Sequence, residues 1–333
     1  MSPPGPPFTI TVQAADHLAR IVESITRLDF GTDFRLDLRL HRENRVRSIH
    51  SSLAIEGNHL SLEEVSAVLD GRAVWGRPSD IHEVKNAHAA YAQLRAFDPY
   101  DVDDFLAAHR LMTQGLIREA GVFRSGDVAV YAGDAPVHVG ARPQFVPGLV
   151  SDLFAWARET DVHPVLRSAI VHCEIETIHP FADGNGRLGR LWQTLILASW
   201  NETFASLPME SVVFENRPAY YQALRSSQRD NDATAFIEFS LGTVRDAIDE
   251  ALVTYDAGGR AGADVGANVG EGVGVSEAVL VLLRAEPTLS AAALASRLGK
   301  TSRTIERHLA ELKASGVLRR EGSAKKGRWV VTR

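Results

Sequence analysis

Leu36, Leu40, Val46, Ile49 and Leu53 recur at helical spacing through a stretch otherwise dense in charge, RLDLRLHRENRVRSIHSSL. That pattern predicts a helix with a narrow apolar stripe. Ser61 stands three residues before Glu64 at the head of SLEEVSAVL, the spacing of a capping box. Apolar positions three and four apart predict further helices near 80–97, 101–113, 147–159, 164–177, 186–199, 218–227 and 232–254. Between Gly126 and Pro147 the period changes, and VAVY, a GDAP turn and VHV read as a β-hairpin set into a helical protein.

Asp256 to Gly274, DAGGRAGADVGANVGEGVG, is Gly-rich and holds no large aromatic residue, so it reads as a flexible linker. Beyond it SEAVLVLLRAE predicts one helix, Ser290 caps AAALASRLG, and Ser302 caps RTIERHLAELKA, with Gly299 and Gly316 closing the last two. VLRREGSAKKGRWVVT then reads as two short strands about a basic turn. This module resembles a winged helix-turn-helix. Ile305, Leu309 and Leu312 would face its core, Ser302, Arg303, Thr304 and Arg307 would meet the major groove, and Lys325, Lys326 and Arg328 would lie on the wing near phosphates. The expected organisation is an N-terminal helical region over 1–100, a catalytic core over 101–255, the linker over 256–274 and the basic module over 275–333.

Charge supports that division. Residues 275–333 hold 12 Lys+Arg against 5 Asp+Glu, while the rest holds 24 against 37, within a net charge of −6. One end suits a polyanion such as DNA, although winged helices also bind proteins. The lone Cys173 excludes an internal disulfide or a cysteine-based metal cluster. No apolar run approaches membrane-spanning length, and Met1 to Pro7 lacks the form of a secretory signal, so a cytoplasmic protein without membrane partners is expected.

The chemistry concentrates in His179 to Arg190, HPFADGNGRLGR, between two apolar helical runs. A glycine-containing loop opening onto a helix presents free N–H donors and a positive dipole end, which suits a phosphate. Arg187 and Arg190 are cations where the dipole disfavours them unless an anion is held between them. Asp183 offers one hard oxygen ligand of the kind Mg²⁺ takes, and His179 is the base available near neutral pH. Phe181 reads as the loop's anchor in the core. A bare turn before a solvated helix face would account for the glycines and arginines separately, but not for base, carboxylate and amide within twelve residues.

The segment matches every specified position of the Fic-family signature H-x-F-x-D/E-G-N-G-R-x-x-R, and the chain resembles that family from about 36 to 245. GVFR at 121–124, the hairpin, RPAYYQAL and FIEFSL add support. The resemblance implies a mainly α Fic fold with an inserted β-hairpin flap. It implies ATP phosphates over Gly184, Asn185, Gly186 and Arg187, Mg²⁺ on Asp183, and Arg190 close by. It gives His179 as the base activating a Tyr, Thr or Ser hydroxyl of a target protein, and Tyr220 and Tyr221 as candidates for the adenine pocket. Family members transfer AMP, so a protein adenylyltransferase is expected. Removal of AMP, or a nucleotide-sensing transcription regulator, is the alternative. Homodimers are common in the family, so a second copy of the chain is an expected partner.

Ser51 to Asn58, SSLAIEGN, puts Ser52 and Glu56 on one helix face ahead of a stop at Gly57 and Asn58. From its residues alone Glu56 is a surface charge at a helix end. The segment also matches the family's inhibitory motif S/T-x-x-x-E-G/N, whose Glu pairs with the second Arg of the signature, here Arg190. His172, Cys173 and Glu176 read as buried packing residues and His138 as solvent-exposed. His82, Glu83 and His88 share a helix without a visible further ligand.

Overall fold

The computed structural model of the chain describes residues 5–31, 34, 37–132, 135–261, 279–280, 282–283, 287, 289–298, 301–314, 317–321 and 328–331. The chain divides into two compact units, residues 1–31 with 41–252, and 32–40 with 253–333. It is mainly α. The helices with described bounds are α1 (Val12–Gly31), α2 (Leu38–Ile55), α3 (Leu62–Leu69), α4 (Pro78–Ala92), α5 (Val102–Thr113), α6 (Val146–Glu159), α7 (Pro164–Ile178), α8 (Asn185–Trp200), α9 (Met209–Glu215), α10 (Arg217–Asp230) and α11 (Thr234–Ala261). A two-stranded antiparallel hairpin, β1 (Ala129–Ala132) and β2 (Ala135–Val139), lies between α5 and α6 in sequence. Its register pairs Ala129 with Val139 and Val130 with His138, then shifts before Tyr131 pairs with Pro136. Gly133 and Asp134 of the expected GDAP turn lie outside the described residues.

Local chemistry explains several boundaries. Ser61 caps α3 with both bonds of the capping box, accepting from the Glu64 amide while the Glu64 carboxylate accepts from the Ser61 amide. The helix expected over 80–97 ends at Ala92 and gives way to a 3₁₀ turn, Leu94–Ala96. Asp98 precedes Pro99, and a residue before proline is driven out of the α region. Two helices were not expected, α1 and α9. α1 buries Ala14, Ile21, Ile25 and Leu28, and α9 buries Met209, Val212 and Val213. α9 also buries Glu210, whose carboxylate accepts from Ser48 Oγ at 2.7 Å and Tyr91 OH at 2.6 Å. A buried carboxylate without such donors would cost several kcal/mol or more, so these bonds fix where α2, α4 and α9 meet. α11 runs on to Ala261, into the start of the Gly-rich segment, and residues 262–274 lie outside the described residues.

The core under the future site is aromatic. Phe105 of α5 packs edge-on to Phe154 of α6 (5.2 Å) and to Trp192 of α8 (5.0 Å), and lies 5.3 Å from Phe181, all four rings fully buried. Such contacts add about 0.5–1.5 kcal/mol per pair beyond the area they bury. α7 and α8 pack together above this floor, and the connection between them is the HPFADG loop.

The second unit has its own core. Val279, Leu282, Leu283, Leu294, Ile305, Leu309, Leu312, Leu318 and Trp329 are buried together, drawn from the helical residues 279–280 and 282–283, from α12 (Ala291–Arg297), from α13 (Ser302–Ala314) and from the antiparallel pair β3 (Leu318–Glu321) and β4 (Arg328–Val331). Ser290 Oγ accepts from the Ala293 amide at 3.1 Å and so caps α12. The cap of α13 is Thr301 and not Ser302: Thr301 Oγ1 accepts from the Thr304 amide at 3.2 Å, and Ser302 is already helical. Arg303 and Arg307 lie exposed on α13 and Arg328 is exposed on β4. Lys325, Lys326, Gly299 and Gly316 lie outside the described residues.

Candidate active site

α7 ends in a residue that is conformationally expensive. His179 sits at φ 55°, ψ 61°, in the left-handed region that a β-substituted residue enters at a cost of order 1–3 kcal/mol. The surroundings hold it there by claiming the free carbonyls of the helix's last turn. Thr177 O accepts from His138 Nε2 at 2.7 Å, Ile178 O from the Ala141 amide at 3.2 Å, and His179 O from Arg124 Nε at 2.7 Å. All three donors belong to the hairpin or its flanks, so the hairpin that follows GVFR is fastened to the end of α7. Arg124 also donates to Gly126 O and Ala141 O, and its side chain is buried. His138, expected at the surface, is therefore half-buried and bonded, with its ring 6.5 Å from that of His179.

The imidazole of His179 is neutral. Burial pushes its pKa down to about 4, an effect that the Glu176 carbonyl opposes. Its Nδ1 lies 3.4 Å from that carbonyl, which can only accept, so the proton resides on Nδ1 and Nε2 carries a lone pair.

The loop then turns on its own side chains. Phe181 stacks on His109 at 3.6 Å between ring centroids, and His109 uses both nitrogens: Nδ1 accepts from the Gly121 amide at 2.9 Å and Nε2 donates to Asp183 O at 2.9 Å. Asn185 clamps Phe181, accepting from its amide and donating to its carbonyl, both at 2.9 Å. The Asn185 side chain thus holds the loop closed, and its backbone N–H, at the first position of α8, has no acceptor within the helix. Gly184 takes φ 87°, and a Cβ there would stand 2.8 Å from Thr113 Cγ2. A Cβ on Gly186 would collide with Glu56 Oε1 and come within 3.1 Å of Arg190 Nη1. Both glycines are thus required by close approach, and Gly184 by its backbone angle as well.

α8 starts at Asn185, so its first amides open onto this loop. Asp183 remains 60% exposed in its side chain, with Oδ2 accepting from Arg187 Nη2 at 3.0 Å. Arg187 and Arg190 are both buried. Arg190 Nε donates to Ser52 Oγ at 3.1 Å, and its Nη2 donates to Ser52 O at 2.9 Å and to Glu56 Oε1 at 2.8 Å. The structure therefore brings Ser52, Glu56 and Arg190 together although they lie 134 and 138 positions apart in sequence. Burial disfavours the Arg190 cation, but Glu56, with Tyr220 and Glu176, more than offsets this and holds its pKa above the ordinary value.

Behind Arg190 the polar groups form a closed chain. Gln193 Nε2 donates to Ser240 Oγ at 2.6 Å, so its Oε1 accepts from His172 Nδ1 at 2.7 Å, and His172 Nε2 accepts from Tyr220 OH at 3.2 Å. Tyr220 is thus a buried residue lining a cavity with His172, Gln193 and Phe236. Tyr221 is half-buried, its hydroxyl 3.4 Å from Ile55 O at the end of α2. Burial, helped by the Glu56 carboxylate, raises Glu176 to about 8, and burial lowers His172 to about 3. The reading from sequence missed His109 and Arg124 as parts of the site. Arg124 had a signal, the GVFR match, whereas the role of His109 exists only through contacts 12 and 74 residues away.

The fold and the loop define a mainly helical protein built round a glycine-containing turn onto α8, and comparisons with known proteins give its family. The Fic/DOC family model matches residues 99–197, and an HTH domain model matches residues 275–327. A crystallised Fic family protein from Desulfovibrio desulfuricans G20 is 39% identical, covering 99% of this chain and 98% of its own, with a TM-score of 0.74. The chain belongs to the Fic family and carries a C-terminal HTH domain. Among curated relatives, Protein adenylyltransferase fic-1 of Caenorhabditis elegans is 32% identical over 199 residues and Protein adenylyltransferase Fic of Aedes aegypti 29% over 246 residues. These alignments cover 56% and 69% of this chain, which spans only 37% and 47% of the relatives' length. The solved C. elegans Fic-1 fragment shares the fold at TM-score 0.63 and 24% identity.

Proposed function

We propose that the chain is a protein adenylyltransferase that moves AMP from ATP onto a Tyr, Thr or Ser hydroxyl of a protein, held back by Glu56. The observation that carries this is His179: a neutral imidazole with a free Nε2 lone pair, fixed at the mouth of an amide-lined cradle. In the reaction the target hydroxyl oxygen bonds to the α-phosphorus, its proton passes to His179 Nε2, the α–β bridging bond breaks, and pyrophosphate leaves with that electron pair. The amides of Asn185 to Arg187 and the Arg187 guanidinium face the phosphate charge, while the Gly184 amide donates to Asp183 Oδ1 at 2.6 Å, so catalysis is mainly positioning and electrostatics.

The exposed carboxylate of Asp183 beside the cradle fits a divalent cation that takes one protein ligand and fills its remaining positions from water and phosphate. Mg²⁺ bound there would neutralise phosphate charge. The hairpin offers strand edges to an extended segment of the target protein. Glu56 fills the space over Gly186 and engages Arg190, so an incoming phosphate meets a carboxylate where it needs a cation. The exposed Arg303 and Arg307 of α13 support DNA as the partner of the HTH domain.

The test is labelling with α- and γ-phosphate-labelled ATP. Label transferred to protein from the α position, increased in Glu56→Gly and lost in His179→Ala, is expected. Label transferred only from the γ position, or from neither in the Glu56→Gly chain, would sink the reading.

A further inference from the structure

Arg187 is held in a way that anion binding alone does not explain. Its side chain is only 4% exposed, with Nη1 donating to Glu83 Oε1 at 3.1 Å and Nη2 to Asp183 Oδ2 at 3.0 Å. Its Nε is buried and has no partner among the described residues. In a guanidinium, Nε and Nη2 lie along one edge as two parallel donors, the arrangement that grips two oxygens of one phosphate, while Nη1 lies off that edge. A buried donor without a partner is costly, by about 1–3 kcal/mol, and an arginine that keeps one on its phosphate-gripping edge is set for a ligand.

Glu83 is itself immobilised. It stands on α4, and its Oε2 accepts from Asn58 Nδ2 at 2.8 Å. Asn58 is buried and anchored twice more, its Nδ2 donating to Asp80 O at 3.1 Å and its Oδ1 accepting from the Leu60 amide at 3.1 Å. A chain of fixed groups thus runs from the segment just after α2, through α4, to one nitrogen of Arg187.

We propose that Glu83 is the positioning residue of the anion cradle: by holding Nη1 it turns the Nε–Nη2 edge of Arg187 toward the nucleotide's phosphates. When phosphate arrives it replaces Asp183 on Nη2 and satisfies Nε, which frees Asp183 Oδ2 while Oδ1 stays on the Gly184 amide. Without Glu83, Nη1 loses its acceptor, and the guanidinium rotates to meet Asp183 with two donors. The edge meant for phosphate is then occupied and the carboxylate is captured. Charge matters as well as reach, because an acceptor without charge holds a guanidinium less firmly. The inference rests on the nucleotide-binding part of the proposed function and not on group transfer.

The experiment uses the full chain carrying Glu56→Gly, so that the cradle is open. ATP and, separately, adenosine are titrated calorimetrically against it, against the isosteric Glu83→Gln and against Glu83→Ala. ATP binding is expected to weaken by about tenfold or more in Glu83→Ala and by a smaller factor in Glu83→Gln, with adenosine binding unchanged. In labelling assays KM for ATP rises correspondingly while kcat stays within about twofold. Equal losses for ATP and adenosine would mean a merely structural residue and would overturn the proposal, as would unchanged ATP affinity. Activation of the otherwise unaltered chain by Glu83→Ala, as Glu56→Gly is expected to give, would overturn it too by making Glu83 a second brake. If no variant transfers label at all, adenylyl transfer fails while the titrations still decide the role of Glu83.

Discussion

A histidine that is neutral because it is buried works as a base over a wider pH range than a free one. His179 titrates near 4, so the base-dependent limb of kcat/KM in the Glu56→Gly chain is expected to fall only below about pH 5, well under the ordinary histidine value near 6.5. A pH–rate profile with its acid limb at 6.5 would place the imidazole in solvent. His179→Ala is expected to lower α-label transfer by about 10²–10⁴-fold, the usual worth of general base catalysis. The same burial has a thermodynamic consequence. His109, His172 and His179 are lowered to about 4, 3 and 4, each chiefly by desolvation. Below 6.5 the unfolded chain takes up protons that the folded chain refuses, so stability is lost as pH falls from 6.5 toward those values. At pH 5 each such histidine costs about 2 kcal/mol. Thermal midpoints measured at pH 7.5 and 5.0 should therefore drop steeply on acidification, and a flat profile would contradict the buried neutral rings.

Among the elements, the pair α7 and α8 and their loop hold the proposed site, and the aromatic floor sets their spacing. Phe105 touches Phe154, Phe181 and Trp192, so Phe105→Ala is expected to lose about 3–5 kcal/mol in urea denaturation. ATP affinity should fall with it, because Phe181 no longer has a fixed seat. The loop, its helices and the hairpin were legible because their signals are local: apolar periodicity, Gly and Pro punctuation, and a dense set of functional residue types. What escaped was of two kinds. α9 is seven residues long, too short for a periodicity to declare itself. α1 had a legible signal that went unread, Ile21, Ile25 and Leu28 at helical spacing with charge on the other faces. The cap of α13 shows a finer limit: Thr301 and Ser302 are both good caps, and only the backbone selects between them.

For the whole molecule, charge separation and long-range hydrogen bonds matter more than any single motif. The basic surplus of residues 275–333 and the exposed Arg303 and Arg307 lead to the expectation that a Arg303→Ala, Arg307→Ala chain binds duplex DNA more weakly and with a shallower salt dependence, by about one unit of slope per lost phosphate contact. Gel shifts over a salt series check this, and binding that ignores both substitutions and salt would point to a protein partner instead. Long-range contacts also decide what sequence conceals. The motif at 51–58 announced Glu56, but nothing in the chain announced that Asn58 holds Glu83 and Glu83 reaches Arg187. The helix that leads into Glu56 has a further property. Asn44 donates to Ser206 O at 2.9 Å, Arg45 to Tyr91 O at 2.7 Å, Ser48 to Glu210 at 2.7 Å and Ser51 to Ser211 at 3.2 Å. Rivetted along four positions to its neighbours, α2 has no freedom to slide or swing as a rod. Lifting the carboxylate from Arg190 must then be a fraying of the final turn, and deuterium uptake on activation should quicken at residues 53–57 while 44–51 stay protected.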